Sequence, residues 1–235
     1  MNSSIKIILL DIEGTTTPID FVFQILFPYA RNHVQDFLSK HWDDLQTEVS
    51  QFKSEHTEDE RLGLNPPALD SSQLESVVAY IYWLMDQDRK STPLKSLQGK
   101  IWEEGYKNGV LKSQLFLDVP TAFENWQQHR ICIFSSGSVL AQKLLFTYTE
   151  FGDLSKFISG WFDTNIGNKQ DATSYHRIAV ALQTEADEIL FVSDVTAELE
   201  AARVAGMQTL LSIRPGNLPQ PNAQNFQSIT SFDQL

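Results

Sequence analysis

Near its N-terminus the chain reads Ile5-Lys-Ile-Ile-Leu-Leu-Asp-Ile-Glu-Gly14, a short apolar run that stops at two acids and a glycine. A run rich in β-branched residues is typical of a strand buried on both faces of a parallel sheet. Gly14 permits a tight turn, so the carboxylates of Asp11 and Glu13 are expected to stay open beyond the end of the strand. The stretch therefore predicts an α/β protein with acidic groups at the carboxyl end of its first strand.

Similar apolar runs recur along the chain and alternate with helical patterns. The predicted strands are 5–10, 130–134, 157–162, 188–193 and 208–213, and helices are predicted at 138–149 and 196–204. Strands that alternate with helices predict a doubly wound, mainly parallel, Rossmann-like sheet that is covered on both faces.

A block of different character separates the first two predicted strands. Helices are predicted at 21–39, 74–88 and 94–108, and the polar segment 54–72, with Pro66-Pro67, is predicted to be a loop. An all-helical block that interrupts an α/β pattern is best interpreted as an inserted cap. We therefore expect a core formed by residues 1–18 and 119–235 and a helical cap formed by residues 19–118.

Composition and charge exclude several classes of protein. The 235 residues suit one α/β domain with an inserted subdomain, and 42% hydrophobic residues are too many for a disordered chain. The net charge of −12 argues against nucleic acid as a partner. No stretch approaches the ~20 apolar residues of a membrane span, and no signal peptide is visible.

The single cysteine, Cys132, excludes an internal disulfide and fits a reducing compartment. It lies in an apolar run and is expected to be buried. The five histidines show no spacing typical of zinc ligands. We therefore predict a cytoplasmic protein without nucleic-acid or membrane partners, and a monomer is the default expectation.

Four polar clusters follow predicted strands or lie in the loops beyond them. In open α/β sheets, ligands bind at the carboxyl ends of the strands. The clusters contain Asp11 with Glu13, Ser135 with Ser136, Lys169, and Asp194. Each has an ordinary structural explanation, since the serines and Asp194 resemble helix N-caps and Lys169 resembles a solvated lysine. Their combination in strand order is what points to a site.

Two carboxylates, a lysine and a serine hydroxyl form a coherent set for phosphate chemistry. Mg²⁺ held between Asp11 and Asp194 would overcome the repulsion between a carboxylate and a phosphate dianion. Ser135 can donate to phosphate oxygens, and Lys169 supplies a positive charge. Asp11 can then attack phosphorus, and Glu13 is placed to protonate the leaving oxygen and later to activate water.

The order of these clusters resembles the haloacid dehalogenase-like hydrolase superfamily, and Glu rather than Asp at position 13 resembles its enolase-phosphatases of methionine salvage. The resemblance extends over nearly the whole chain, with little of it in 54–72. The matching segments are 9–19, 27–29, 97–102, 134–139, 141–146 and 191–194.

This resemblance implies a magnesium-dependent phosphoric monoester hydrolase (acireductone synthase) with one Mg²⁺ per subunit. Its substrate would be a small phosphate ester, 2,3-diketo-5-methylthiopentyl-1-phosphate, which is enolised and then hydrolysed to the acireductone 1,2-dihydroxy-3-keto-5-methylthiopentene. The resemblance places the metal at Asp11, Glu13 and Asp194, and the substrate phosphate at Ser135, Ser136 and Lys169. Whether Glu13 ligates through its carboxylate or its backbone carbonyl stays open.

The residues that enolise the substrate are not identified by the sequence. The base could be Glu13 or a residue of the cap such as Lys95 or Lys100, although a solvated surface lysine is the simpler interpretation of either. Trp102 and Tyr106 could hold the methylthio tail, and packing in the core is at least as good an explanation.

Two other functions remain as alternatives. One is another capped phosphatase of the same superfamily that acts on a sugar phosphate or phosphoglycolate. The other is a phosphoacceptor signalling domain, which combines similar residues with Mg²⁺ but is about half this length and needs no cap.

Overall fold

The alternation of strands and helices continues through the structure, a computed structural model that describes residues 4–235. Six strands and eight α-helices lie in this range. They are, in chain order, β1 (Ile7–Leu10), α1 (Phe27–His41), α2 (Gln46–Arg61), α3 (Leu74–Asp86), α4 (Thr92–Lys107), α5 (Asp118–Asn125), β2 (Arg130–Phe134), α6 (Val139–Thr147), β3 (Ile158–Phe162), α7 (Ala172–Leu182), β4 (Ile189–Ser193), α8 (Thr196–Val204), β5 (Gln208–Ser212) and β6 (Ser228–Ile229).

The strands form one sheet in the order β3-β2-β1-β4-β5-β6, and every pairing in it is parallel. The first strand is central, and its Leu10 lies opposite Ile133 of β2 and Val192 of β4. The chain builds the sheet outward from β1 in one direction and then in the other, so the order reverses between β1 and β4. Ligands of doubly wound sheets bind at such a reversal point. The predicted fold class is confirmed.

The central strands are apolar because both faces of the sheet are covered. All four residues of β1 and all five of β4 are buried. On one face Leu9 and Phe191 belong to the same buried cluster as Tyr175 of α7 and Leu199 of α8. Cys132 is a free, buried thiol in this cluster, as predicted. The covered sheet provides a rigid base for the loops at its carboxyl edge.

Two compact units share the chain. One unit is Gln24–Val110, which contains α1 to α4. The other consists of the described residues up to Phe23 together with Leu111–Leu235, and it contains the sheet and α5 to α8. The predicted insertion at 19–118 extends past the helical unit at both ends. Its role as a cap stays a prediction.

The predicted loop at 54–72 is wrong in its first part, because α2 continues to Arg61. The buried face of α2 includes polar residues, which made the segment look solvated. Asp59 is completely buried, and it accepts a hydrogen bond from the Tyr80 hydroxyl at 2.7 Å and pairs with Arg89. His56 bonds to the Pro67 carbonyl at 2.9 Å. Buried polar groups that find partners can occupy a helix face usually filled by apolar residues.

The aromatic residues proposed for a methylthio pocket lie in the core of the helical unit. Trp102 is 8% exposed and donates its indole N–H to the Leu26 carbonyl at 2.8 Å. Tyr106 is 3% exposed. Of the two interpretations, core packing is the one that the structure supports. Within residues 4–235, no helix combines the length and apolar character needed to cross a bilayer.

Candidate active site

The two acids predicted at strand ends lie next to each other in the sheet. Asp11 follows β1 directly and Asp194 follows β4 directly, and they are 2% and 6% exposed. The strands are in register there, since the Asp11 N–H donates to the Val192 carbonyl at 3.0 Å. Both carboxylates therefore lie at the reversal point of the strand order.

The turn after β1 is built around Gly14. Its φ is +71°, in the left-handed region that favours glycine, and its N–H donates to the Thr17 carbonyl at 2.8 Å. A Cβ at this position would come within 2.5 Å of Asp194 Oδ2. Only a residue without a side chain lets the turn lie this close to the second carboxylate.

Lys169 reaches the first carboxylate from the loop between β3 and α7. Its Nζ lies 2.5 Å from Asp11 Oδ1 and 2.7 Å from Glu198 Oε2, and the residue is 6% exposed. Burial lowers the pKa of Lys169, but the negative charges of Asp11 and Glu198 outweigh it, so the pKa lies above its ordinary value. The Tyr175 hydroxyl donates to the Lys169 carbonyl at 2.7 Å, which holds the loop in place. A solvated lysine is therefore the wrong interpretation.

The two predicted serines follow β2 in a short loop. Ser135 is 1% exposed, and its hydroxyl donates to Glu13 Oε2 over 3.5 Å and accepts from the Gly137 N–H at 3.2 Å. Ser136 is exposed. Ser138, not Ser135, caps α6 by accepting from the Ala141 N–H at 3.3 Å. Ser135 is thus directed toward the acidic turn instead of capping the helix.

Asp194 does not act as a helix cap either. The residue before α8 is Val195, which makes no side-chain cap. The Val195 N–H donates to the Ser193 hydroxyl at 3.1 Å. Asp194 is therefore not engaged as the N-cap of α8.

Several buried acidic side chains lie close together in this cluster, and their proximity raises the pKa values of some of them. Burial, followed by the charges of Asp11 and Glu198, raises the pKa of Asp194 to about 7. Burial and the charge of Asp11 likewise raise the pKa of Glu13, and a protonated carboxyl is the form that a general acid requires. The pKa shifts show that negative charge is disfavoured here unless a cation is close.

The donor set fits a hard divalent cation. Carboxylate and carbonyl oxygens are the ligands that such ions prefer. Within the described residues no group of three or more His, Cys, Asp and Glu side chains forms a cluster suited to a metal. Asp11 and Asp194 would therefore need backbone carbonyl and water oxygens to complete a coordination shell.

Glu198 is an additional member of the cluster that sequence reasoning missed. It lies in the first turn of α8 with 8% of its surface exposed, and its Oε2 also accepts from the Ser193 hydroxyl at 2.9 Å. Burial raises the pKa of Glu198 to about 7 against the opposing effect of Lys169. The sequence carried no signal for this role, because an acid in the first turn of a helix is common.

The turn after β1 is also supported by the segment after β5, which sequence reasoning missed. Asn217 Nδ2 and the Ser212 hydroxyl donate to the Gly14 carbonyl at 3.0 and 3.3 Å. Arg214 Nε donates to the Thr15 carbonyl at 3.2 Å, and its Nη1 lies 2.8 Å from Asp118 Oδ2. The backbone of the acidic turn is therefore held by side chains from the other end of the chain.

Replacing Glu198 by glutamine is expected to lower kcat by roughly tenfold with little change in thermal stability. Glutamine has nearly the same shape, but a neutral acceptor holds the Lys169 ammonium less firmly than a carboxylate does, by about 1–1.5 kcal/mol. Steady-state kinetics and thermal unfolding measure the two effects. Glu200→Gln, which removes a surface acid paired with Arg203 on the same helix, is the matched control. Equal kcat in the two variants would mean that Glu198 has no part in placing the lysine.

Comparison with known proteins defines the class of this fold and site. The family model of the haloacid dehalogenase-like hydrolases matches residues 5–206. This match includes all four polar clusters and the whole helical unit. The class is therefore a hydrolase, and membership of it indicates a divalent metal as cofactor.

The relatives narrow the class further. Enolase-phosphatase E1 of Synechococcus elongatus is 52% identical over 99% of this chain and 98% of its own length. Enolase-phosphatase E1 of Drosophila persimilis is 43% identical over 98% of this chain and 94% of its own. The crystal structure of the UTR4 protein of Saccharomyces cerevisiae has a TM-score of 0.83 at 36% identity, covering 98% of this chain and 100% of that one. This chain belongs to the enolase-phosphatase E1 family of haloacid dehalogenase-like hydrolases.

Proposed function

We propose that this chain is a bifunctional enolase-phosphatase that acts on 2,3-diketo-5-methylthiopentyl-1-phosphate. It enolises the diketone and hydrolyses the enol phosphate to the acireductone 1,2-dihydroxy-3-keto-5-methylthiopentene. The observation that carries this proposal is the full-length identity of 52% with an enolase-phosphatase E1. The same identity favours this reaction over hydrolysis of a sugar phosphate or phosphoglycolate, and over a signalling domain.

The phosphatase half of the proposal assigns the nucleophile to Asp11. Lys169 holds one oxygen of this carboxylate at 2.5 Å, which leaves the other oxygen to attack phosphorus. The attack forms an aspartyl-phosphate as the bond from phosphorus to the ester oxygen breaks. Glu13, close to the Ser135 hydroxyl, protonates the departing oxygen and then removes a proton from the water that cleaves the aspartyl-phosphate. Ser135, Ser136 and Lys169 bind the phosphate oxygens.

The metal of the proposal is one Mg²⁺ per subunit. Asp11, Asp194 and Glu13 would hold it, with Glu13 contributing its backbone carbonyl, because the described side chains provide no cluster of three acids. The cation would offset the charge of the substrate phosphate and polarise its oxygens. A compact site of hard oxygen donors supports magnesium over softer metals.

The enolase half needs a base that removes a carbon-bound proton. Among the candidates, Lys100 pairs with the carboxylate of Glu48, and an ammonium held in an ion pair is a poor base. Glu13 lies in the acidic turn itself and is the group that we propose. Lys95 remains the candidate from the helical unit.

One assay tests the proposed function. The purified protein with Mg²⁺ and the diketone phosphate should produce a transient ultraviolet band of the conjugated enol and then free phosphate. Sugar phosphates and phosphoglycolate, tested in parallel, should be hydrolysed at a kcat/KM at least about a hundredfold lower. Comparable turnover of one of these esters, without an enol band, would identify a different phosphatase.

Asp194→Asn is expected to raise the Mg²⁺ concentration needed for half-maximal rate by roughly tenfold or more. The variant loses one formal charge from the proposed metal site but keeps its shape. A titration of rate against Mg²⁺ measures the shift, and excess EDTA should abolish activity of the wild type. Full activity in EDTA would exclude a metal cofactor at this site.

We also propose a cytoplasmic monomer. The single, buried cysteine suits a reducing compartment, and light scattering of the purified protein tests the monomer.

A further inference from the structure

The helix after the predicted phosphate-binding serines carries a buried glutamine for which the proposed chemistry has no role. Gln142 lies on α6 and is 1% exposed. Its Nε2 donates to the carbonyl oxygens of Gly137 and Phe162, both at 2.8 Å. In the described part of the chain its Oε1 has no hydrogen-bond partner. If the Gln142 amide were flipped, its oxygen would face the two carbonyl oxygens and repel them, so the observed orientation is the one that forms hydrogen bonds.

These hydrogen bonds fix the shape of the serine loop. The Phe162 carbonyl on β3 also accepts from the Ser135 N–H at 3.2 Å, so Gln142 and Ser135 share one acceptor. Both ends of the loop 135–137 are thereby tied to the neighbouring strand, Ser135 directly and Gly137 through Gln142. A loop held in this way has its donors oriented before a ligand arrives, which reduces the entropic cost of binding.

The Gly137 carbonyl determines where the next N–H points. In a trans peptide the C=O of one residue and the N–H of the next point in opposite directions. Because the Gly137 carbonyl faces buried Gln142, the Ser138 N–H faces away from it, at the start of α6. Across residues 4–235 the Ser138 N–H donates to no protein group, whereas the Val139 N–H donates to Asp163 Oδ2 at 3.3 Å. An N–H without a partner at a helix N-terminus is a ready donor for an anion.

We propose that Gln142 is a positioning residue of the phosphate site, and that the N–H it orients, that of Ser138, donates to an oxygen of the substrate phosphate. The inference rests on the proposed function, because it takes Ser135 and Ser136 as the phosphate-binding loop. The inference adds the Ser138 N–H to the donors of the proposed phosphate site, and it adds Gln142 as the side chain that orients this N–H.

The donor itself is tested in the wild-type protein with inorganic phosphate as the probe. In ¹⁵N-labelled protein with Mg²⁺, phosphate should move the Ser138 amide proton resonance downfield, and the Val139 resonance should move much less. If the Ser135 resonance responds and that of Ser138 does not, the inference fails while the proposed phosphate site stands. If neither responds, the phosphate site fails and the inference with it.

The role of Gln142 is tested with Gln142→Met, which keeps the volume of the side chain and removes its donors. We expect KM and the inhibition constant of inorganic phosphate to rise by about tenfold or more, with a smaller change in kcat. The control is Thr149→Val beyond the other end of α6, which removes a hydroxyl bonded to the Gly152 carbonyl at 2.6 Å.

The control should lose thermal stability to a similar degree without any change in phosphate inhibition. If the inhibition constant of phosphate is unchanged in Gln142→Met, or changes equally in both variants, Gln142 has only a structural role. If Gln142→Met does not fold, the Ser138 resonance decides the question.

Discussion

Asp11→Asn is expected to lower the rate of phosphate release by several orders of magnitude while enolisation continues, because the two half-reactions need different groups. Hydrolysis requires a carboxylate that attacks phosphorus, and an amide cannot replace it. Enolisation requires a base and a positive charge near the developing oxyanion, but no nucleophile on phosphorus. The enol phosphate should therefore accumulate as a stable ultraviolet band without free phosphate.

The design of this experiment must separate loss of the nucleophile from loss of the metal. Asparagine keeps one oxygen but removes a charge, so the reaction is followed at saturating Mg²⁺, and circular dichroism verifies the fold. If no enol forms under these conditions, Asp11 takes part in both half-reactions. Retention of more than about a tenth of kcat for phosphate release would remove Asp11 from the mechanism.

Lys169→Met is expected to lower kcat/KM by about a thousandfold or more. The change removes the ammonium that contacts both Asp11 and Glu198 and leaves two buried carboxylates without a counter-charge. Lys169→Arg should restore only part of the rate, because a planar guanidinium does not fit the position of a compact ammonium. Lys156→Met, which removes an exposed lysine of the same unit, is the control for net charge. Wild-type kcat/KM in Lys169→Met would contradict the site.

The stability of the same variant should depend on pH in a defined direction. The pKa of Glu198 is already raised to about 7 with the lysine present, and loss of the lysine removes an influence that lowers it. A carboxyl whose pKa is raised by folding binds its proton more tightly in the folded state. The variant should therefore lose stability as the pH rises from about 4 through the folded pKa, relative to wild type. Thermal unfolding in EDTA at pH 5 and pH 8 measures this difference.

The sequence predicted the sheet well because its strands are buried on both faces. An uninterrupted apolar run such as that of β4 carries a strong signal, and the polar residue that follows it marks the edge where ligands bind. The strand order also explains why Asp11 and Asp194, far apart in sequence, were correctly expected at one place. The parts that were missed have weaker or misleading signals.

Polar residues in buried positions account for most of what was missed. The second half of α2 was predicted as a loop because Asp59 and His56 lie on its buried face. Glu198 was not singled out, because its contact with Lys169 joins the first turn of α8 to a loop distant in sequence, and no periodicity encodes such a contact. The strand β6, with two residues, is too short to produce any pattern.

The central position of β1 has a consequence for synthesis on the ribosome. This strand is made before its neighbours β2 and β4, which begin at Arg130 and Ile189, so its two edges have no partners until those strands have been translated. The helical unit, encoded in between, has its own core and can form from local contacts meanwhile. Arg214 and Asn217, which hold the acidic turn, emerge later still. The apolar strand β1 must therefore avoid aggregation until β2 and β4 have been made, and the acidic turn is fully held only after the segment that follows β5 has emerged.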